Sequence, residues 1–253
     1  MSHVREPGTD PSVFLLEEVA RERRRPVMVR RLAQLYVGLA LYGLGIALQV
    51  ASGLGNDPWD TLHQGLARQT GLSIGTWIII AAVAVMALWI PLRQRPGIGT
   101  ISNAVLVGAF ADLFLWALPH PGTVVAQWAY LVAAILIGGF ATGCYIGAGL
   151  GPGPRDGLTT GLAARGHSIR VVRTGIELTV LVVGWLLGGT VGIGTLLYAV
   201  AIGPLTHVFI PRLEIKKAPR EETRRAAARQ RPEGEGRAPV PAAAVPAECG
   251  DAR

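Results

Sequence analysis

Charged residues are scarce in this 253-residue chain, and its middle is almost free of them. Only 16% of the residues are Asp, Glu, Lys or Arg, whereas soluble domains average about 25%. Half of the residues are apolar, and the mean hydropathy is +0.39. This deficit argues against an ordinary soluble domain and predicts a polytopic membrane protein.

Several kinds of catalytic and binding chemistry are also missing. The two cysteines, Cys144 and Cys249, form neither a disulfide framework nor a metal-ligand spacing. The chain has no P-loop, no G-x-S-x-G motif and no HExxH motif. We therefore expect no enzyme activity, cofactor or metal. The basic residues flank apolar segments, which favours a membrane surface over nucleic acid as their partner.

Apolar runs of sufficient length occur six times, and each predicts a membrane-spanning helix. Crossing a hydrocarbon core takes about 20 residues, and the last two runs reach this length only with flanking residues. In chain order the predicted spans are Leu32–Ser52, Ile74–Leu92, Ile101–Leu118, Thr123–Ala148, Thr174–Gly188 and Gly194–Ile210.

The distribution of basic residues predicts the orientation of these spans. Arg68 stands alone on one side, and 23 of the 24 Lys and Arg residues lie on the other. Because cytoplasmic loops carry the excess of Lys and Arg, both termini are predicted to be cytoplasmic. We expect a cytoplasmic N-terminal segment, two membrane repeats and a disordered cytoplasmic tail, over residues 1–31, 32–119, 120–211 and 212–253.

A duplicated motif divides the apolar region into two repeats. The segment Gly53–Ala67 (GLGNDPWDTLHQGLA) returns 96 positions later as Gly149–Ala163 (GLGPGPRDGLTTGLA), with nine identical positions. The tetrapeptide Gly-Ile-Gly-Thr also occurs twice, at residues 97–100 and 192–195. Two three-span halves of an even-span protein enter the bilayer from opposite faces, so the sequence predicts an inverted repeat.

Both copies of the motif predict the start of a short helix. Asp57 is a good N-cap, Pro58 suits the first helical position, and Asp60 lies in the first turn, where a carboxylate favours the positive helix end. Helices of about twelve residues cannot span a bilayer, so they are either re-entrant or interfacial. The Thr residues of the Gly-Ile-Gly-Thr copies are expected to cap the third and sixth spans.

Six acidic or histidine residues are candidates for a substrate or ion pathway: Asp57, Asp60, Asp112, Asp156, Glu177 and His207. Asp60 and Asp156 would be equivalent groups at two opposed helix starts, or would merely stabilise those starts outside the membrane. Charged groups within spans usually mark a pathway or a pair. Asp112 is the expected site of a coupling proton, whereas Glu177 has Arg173 four residues earlier as a local partner.

Five tryptophans lie near predicted span ends, where an interfacial aromatic belt is the ordinary explanation. They are Trp59, Trp77, Trp89, Trp116 and Trp128.

The paired pattern G-x-G-x-x-P-x-D-x-L-x-x-G-L-A, with Gly-Ile-Gly-Thr after the next span, resembles the YczE/YyaS/YitT type of bacterial integral membrane protein. The likeness covers about residues 30–212. It implies a multi-pass protein of the bacterial plasma membrane. Some members of this type are associated with the production of secondary metabolites, and export has been suggested for them.

These observations favour a secondary transporter or exporter of a small molecule. The expected partners are the lipid bilayer, an unidentified small substrate and protons, and a homo-oligomer is left open. The alternative is a non-transporting membrane protein that supports a biosynthetic or signalling complex. An accessory protein of this kind would need its charged tails, whereas a transporter would tolerate deletion of residues 1–25 and 218–253.

Overall fold

The computed structural model describes residues 11–215 apart from His167, and it describes side chains from Val27 onward. The predicted tail lies largely outside the described residues, as do the first ten residues of the N-terminal segment. Within the described part the chain forms eight helices and no strand, which confirms the all-α class. The helices are α1 (Pro11–Ser52), α2 (Pro58–Thr70), α3 (Ile74–Leu92), α4 (Ile98–Ala117), α5 (Val124–Gly147), α6 (Pro154–Ala163), α7 (Ile169–Leu186) and α8 (Ile193–Leu213).

Five of these helices are long and apolar enough to cross a membrane: α3, α4, α5, α8 and the Val27–Ser52 part of α1. The remaining long helix, α7, has 18 residues and includes Arg170, Arg173 and Glu177. It begins five residues before the predicted span Thr174–Gly188 and therefore takes in this charged turn. Five of the six predicted spans are thus supported, and the span Thr174–Gly188 stays a prediction.

Large apolar side chains cover the outside of the long helices. Ile90 of α3, Trp116 of α4 and Val125 of α5 are 79%, 85% and 80% exposed, respectively. Soluble monomers rarely expose broad apolar surfaces, whereas a bilayer solvates them without cost. The chain is therefore a helical membrane protein, with a small apolar core that α1, α3, α4 and α5 share.

The two halves make reciprocal contacts. Helices α5 to α8 repeat the order of α1 to α4, and α1 packs against α5. Gly194 N–H donates to Leu54 O at 2.8 Å, and the equivalent Gly99 N–H donates to Leu150 O at 3.0 Å. Each copy of the duplicated loop is therefore held by the start of the last long helix of the opposite half.

Glycine is needed in both loops for conformation and for space. Gly55 and Gly151 have φ values of +120° and +131°. A Cβ atom on Gly55 would lie 2.8 Å from Thr195 Oγ1, and one on Gly151 would lie 2.9 Å from Thr100 Oγ1. Two identical glycine requirements at equivalent positions explain why the Gly-rich approach occurs in both copies of the motif.

The short helices pack across the halves in the same reciprocal way, α2 against α7 and α6 against α3. Gly65 and Gly184 bring α2 and α7 together: a Cβ on Gly65 would lie 2.6 Å from Gly184 O. Trp89 of α3 is 2% exposed, and its indole N–H donates to Pro154 O at 3.2 Å. Each short helix is thus held by a helix of the other half.

The contact between α2 and α7 makes a testable prediction about two glycines on one helix. A Cβ on Gly184 would collide with the backbone of Leu62 and lie 2.6 Å from the carbonyl carbon of Thr61, whereas a Cβ on Gly175 meets nothing within 4 Å. Gly184→Ala should lower the free energy of unfolding by about 1–3 kcal/mol. Gly175→Ala, the matched control, should raise it by up to about 1 kcal/mol. Thermal unfolding in detergent measures both, and equal effects would contradict the proposed close approach.

Candidate functional site

The start of α2 brings acidic side chains into the protein interior. Asp57 is the N-cap, with Oδ1 accepting the Asp60 N–H at 2.6 Å, and Pro58 occupies the first helical position, as predicted. The equivalent start of α6 has Gly153 as N-cap and Pro154 after it. With 13 and 10 residues, neither helix is long enough to span a bilayer.

One face of α2 carries a buried polar row. Asp57, Asp60 and His63 are 5%, 1% and 0% exposed, respectively. His63 Nδ1 lies 3.1 Å from Asp60 Oδ1. Because an ionised carboxylate only accepts hydrogen bonds, Nδ1 carries the proton and a neutral His63 presents Nε2 as an acceptor.

The second copy of the motif supplies the cation for these carboxylates. The guanidinium of Arg155, at the start of α6, lies 3.8 Å from Asp57 Oδ2 and 3.6 Å from Asp60 Oδ1. It also lies 5.0 Å from the centroid of the Trp59 ring, a cation–π distance. We call Asp57, Asp60, His63 and Arg155 the central cluster.

Trp59 and Arg155 occupy the same position in the two copies of the motif. They are 96 residues apart, as are the two motifs, and they touch each other. The central cluster therefore lies where the two short helices begin and where the halves meet.

The central cluster has an excess of acidic groups. Two buried carboxylates face one guanidinium, whose side chain keeps 26% of its surface exposed. Removing charged groups from water is costly, and one cation compensates only one of the two carboxylates. The arrangement suits a proton or another cationic partner as a further ligand of the carboxylates.

Two small cavities flank the central cluster. The α3-side cavity, of about 20 Å³, is bordered by Trp59, His63, Asn103, Arg155 and apolar residues of α3. The α8-side cavity, of about 10 Å³, is bordered by Asp57, Asp60, Gln49, Tyr42 and Tyr198. Each has room for about one water molecule. The ion pair thus separates two spaces with different polar groups.

The other candidates from the sequence lie apart from this cluster or are held differently. Asp156, equivalent to Asp60, accepts a hydrogen bond from the Tyr145 hydroxyl at 2.8 Å through Oδ2. Glu177 pairs with Arg173 at 2.8 Å on an exposed surface, as the local spacing predicted. His207 is exposed on α8. Of the six candidates, the structure brings only Asp57 and Asp60 into one cluster.

Asp112 caps the neighbouring helix α3. Its Oδ1 accepts the Gly75 N–H at 2.7 Å, and its Oδ2 accepts the Ser73 hydroxyl at 2.5 Å. Both donors belong to the first turn of α3 or its N-cap, where backbone N–H groups lack partners within the helix. These contacts account for a carboxylate at this position without a transported ion.

Two expectations from the sequence are wrong. Trp89 does not belong to an interfacial belt, because it is 2% exposed and buried against α6. Thr100 and Thr195 are not N-caps either. Each lies three residues after a capping glycine, and its hydroxyl oxygen accepts the N–H of that glycine.

Sequence reasoning missed His63 and Arg155 as members of the site. The spacing of Asp60 and His63 places both on one face of a helix, and this signal was available. Arg155 replaces Trp59 between otherwise similar copies, but its contact with Asp57 bridges 98 positions and arises only from the fold.

Comparison with known proteins agrees with this architecture. Residues 29–211 match the family described as a family of unknown function, DUF6198, and the chain belongs to it. The chain is 35% identical to the uncharacterized membrane protein YczE of Bacillus subtilis over 188 residues, covering 73% of this chain and 87% of that protein. It is 30% identical to YyaS of the same organism over 185 residues, covering 70% of this chain and 91% of YyaS.

A protein of Haemophilus influenzae, described only as uncharacterized, is 41% identical over 177 residues, covering 70% of this chain and 81% of that protein. No solved structure matches the chain. The likeness to YczE and YyaS confirms the resemblance that the duplicated motif indicated.

The contacts of Asp112 make a prediction that separates capping from ion coupling. Asp112→Ala removes both acceptors at the start of α3 and should lower stability by about 1–2 kcal/mol. Ser73→Ala removes the donor to Asp112 and also the N-cap oxygen that accepts the Thr76 N–H, so it should cost a comparable amount. Thermal unfolding in detergent measures the loss. Unchanged stability of Asp112→Ala would contradict the capping role and return Asp112 to the pathway candidates.

The ion pairs of Arg155 predict a non-additive response to mutation. Arg155→Met leaves two buried carboxylates without their cation and should destabilise the protein by about 1–3 kcal/mol, a range reduced for the partial exposure of Arg155. Adding Asp57→Asn should recover part of this loss. A double-mutant cycle measures the coupling between Arg155 and Asp57. Arg165→Met, at an exposed position, is the control. Additive effects would show that Arg155 and Asp57 do not interact.

Proposed function

We propose that this protein is a secondary transporter of a small molecule, without enzyme activity, and that the central cluster is its substrate site. The observation that carries the proposal is the meeting of two short helix starts at a buried ion pair contributed by both halves of a duplication. Transporters of several folds bind substrates at discontinuous helices near the interface of their repeats. A merely structural repeat does not need excess buried charge at this place.

The geometry of the short helices supports a re-entrant position for both. α2 and α6 are too short to cross, their starts contact each other, and long apolar helices surround them. Non-helical backbone at membrane depth is tolerated where protein or a polar cavity encloses it, and the two glycine-rich loops are enclosed by the starts of α8 and α4.

An inverted arrangement of the halves, with both termini cytoplasmic, is the topology we propose. The reciprocal loop contacts, in which each half holds the loop of the other, support a two-fold relation between the halves. In this topology α7 is the fifth of six crossings in chain order, and the charged side chains of Arg170, Arg173 and Glu177 lie at its cytoplasmic end, where long side chains reach the interface. Alternating access then consists of one half rocking against the other around the central cluster.

Protons are the coupling ions that we propose, with the carboxylates of the central cluster as acceptors. Asp57 and Asp60 face a single guanidinium, so uptake of one proton balances the buried charge. Asp112 fits this role less well because its oxygens already cap α3.

Alternating access can be tested without knowing the substrate. Asn103 borders the α3-side cavity, so Asn103→Cys in a protein with Cys144 and Cys249 replaced by Ala reports on solvent entry. A membrane-impermeant thiol reagent should label it from outside in whole cells and from inside in inverted vesicles. Leu39→Cys, at a position with 0% exposure, should resist labelling from both sides. Labelling of Asn103→Cys from one side alone would favour the accessory-protein alternative.

A further inference from the structure

His63 borders the α3-side cavity, and one of its ring nitrogens lacks a hydrogen-bond partner within the described part of the chain. His63 is completely buried, and among the described residues its Nε2 has no hydrogen-bond partner. With Nδ1 donating to Asp60, Nε2 of a neutral ring is an acceptor that an occupant of the cavity can satisfy. Buried polar atoms are rarely left unpaired, so this atom indicates a ligand that donates a hydrogen bond.

Arg155 offers unused donors to the same cavity. Its distances of 3.6 and 3.8 Å to the carboxylates are longer than hydrogen bonds, although the charges attract. The contact with the Trp59 ring at 5.0 Å restrains the position of the guanidinium. A planar fork of N–H groups in this setting suits a carboxylate, which it can bind through two parallel hydrogen bonds.

The surroundings define the rest of the ligand. Asp60 contacts the Nδ1 side of His63, and both Asp57 and Asp60 pair with Arg155, so a hydrogen-bond donor with a positive charge gains more than a neutral one. The opposite wall of the cavity is apolar and consists of Ile78, Ala81, Ala82 and Val85 of α3. Such a wall suits a small apolar side chain.

We propose that the central cluster binds a small zwitterion with an apolar side chain, of the α-amino-acid type. Its carboxylate binds Arg155, and its ammonium group donates to His63 Nε2, across the ring from Asp60. This inference rests on the proposed function and names the substrate class for the same site.

The cavity in this state holds about one water molecule, so a ligand of this size enters only when Arg155 separates from α2. A zwitterion adds no net charge: its carboxylate replaces the aspartates as partner of Arg155, and its ammonium group lies at His63 Nε2, on the side of the ring away from Asp60. The buried charge is unchanged by the exchange, so the site need not become more costly electrostatically. Separation of Arg155 from α2 also moves the two short helices apart, which joins binding to the opening of the site.

Three probes with the same apolar body test this assignment on the purified full-length protein in detergent. Leucine has both charged groups, 3-methylbutylamine lacks the carboxylate, and 4-methylpentanoate lacks the ammonium group. Competition with radiolabelled leucine measures the affinity of each. Both truncated probes should bind roughly ten- to hundredfold more weakly than leucine, because each leaves a charged or buried group of the site unpaired.

Variants assign each group of the ligand to its partner. Arg155→Met should reduce the preference for leucine over the amine to less than about threefold, and His63→Phe should do the same for leucine over the acid. His207→Phe, on an exposed part of α8, is the control and should change neither ratio.

An amine or acid that binds the unmodified protein as tightly as leucine would overturn the zwitterion assignment, and so would the absence of leucine binding. Binding in detergent requires no transport, so such a result leaves the outcome of the labelling test untouched. One-sided labelling would instead refute the proposed function itself.

Discussion

The ion pair between Arg155 and the carboxylates of α2 is the interaction on which the rest of the structure depends. It joins a residue of the second repeat to two residues of the first, at a place that the long helices enclose. Buried carboxylates need a cation nearby, and here it comes from the other half of the chain. The two halves are therefore tied at their centre by charge as well as by apolar contact.

The glycine-rich loops make this meeting of charges possible. Each loop lets its short helix begin in the interior instead of at the surface, because the chain turns at a positive φ value beside the start of a long helix from the other half. A side chain at Gly55 or Gly151 would push the loop away from that helix. The helix starts would then separate, and the contact between Arg155 and α2 would be lost.

The duplication has a nearly symmetric frame and an asymmetric site. The loops, the proline at the helix start and the close glycine contacts occur in both halves, because both perform the same packing. The polar groups differ: Asp57 corresponds to Gly153, Trp59 to Arg155 and His63 to Thr159. The arginine at the position equivalent to Trp59 brings a cation to the carboxylates of the first half, so one shared site forms at the junction, whereas an arginine at both positions would have placed two cations against each other.

What the sequence by itself determined is the local part of this architecture. Runs of apolar residues, a proline after Asp57 and glycines before it act over a few positions, so hydropathy and capping rules predict α2 and the span Ile74–Leu92 with their observed bounds or within a residue of them. The repeat was visible because packing preserved it. The helix α7 begins five residues before the predicted span Thr174–Gly188, because a charged turn continues the helix without adding to the apolar run.

Only the tertiary structure decided which polar residues share a site. Asp112 looks like an isolated charge in its own helix, yet its partners Ser73 and Gly75 belong to another helix. In the sequence Arg155 resembles an ordinary cation of a loop, but the fold places it on α6 beside Asp57, which is 98 positions away in the chain. Such contacts depend on how whole helices cross and on which loops they enclose. A periodicity or a cap carries no information about these relations, because each is a property of one segment alone.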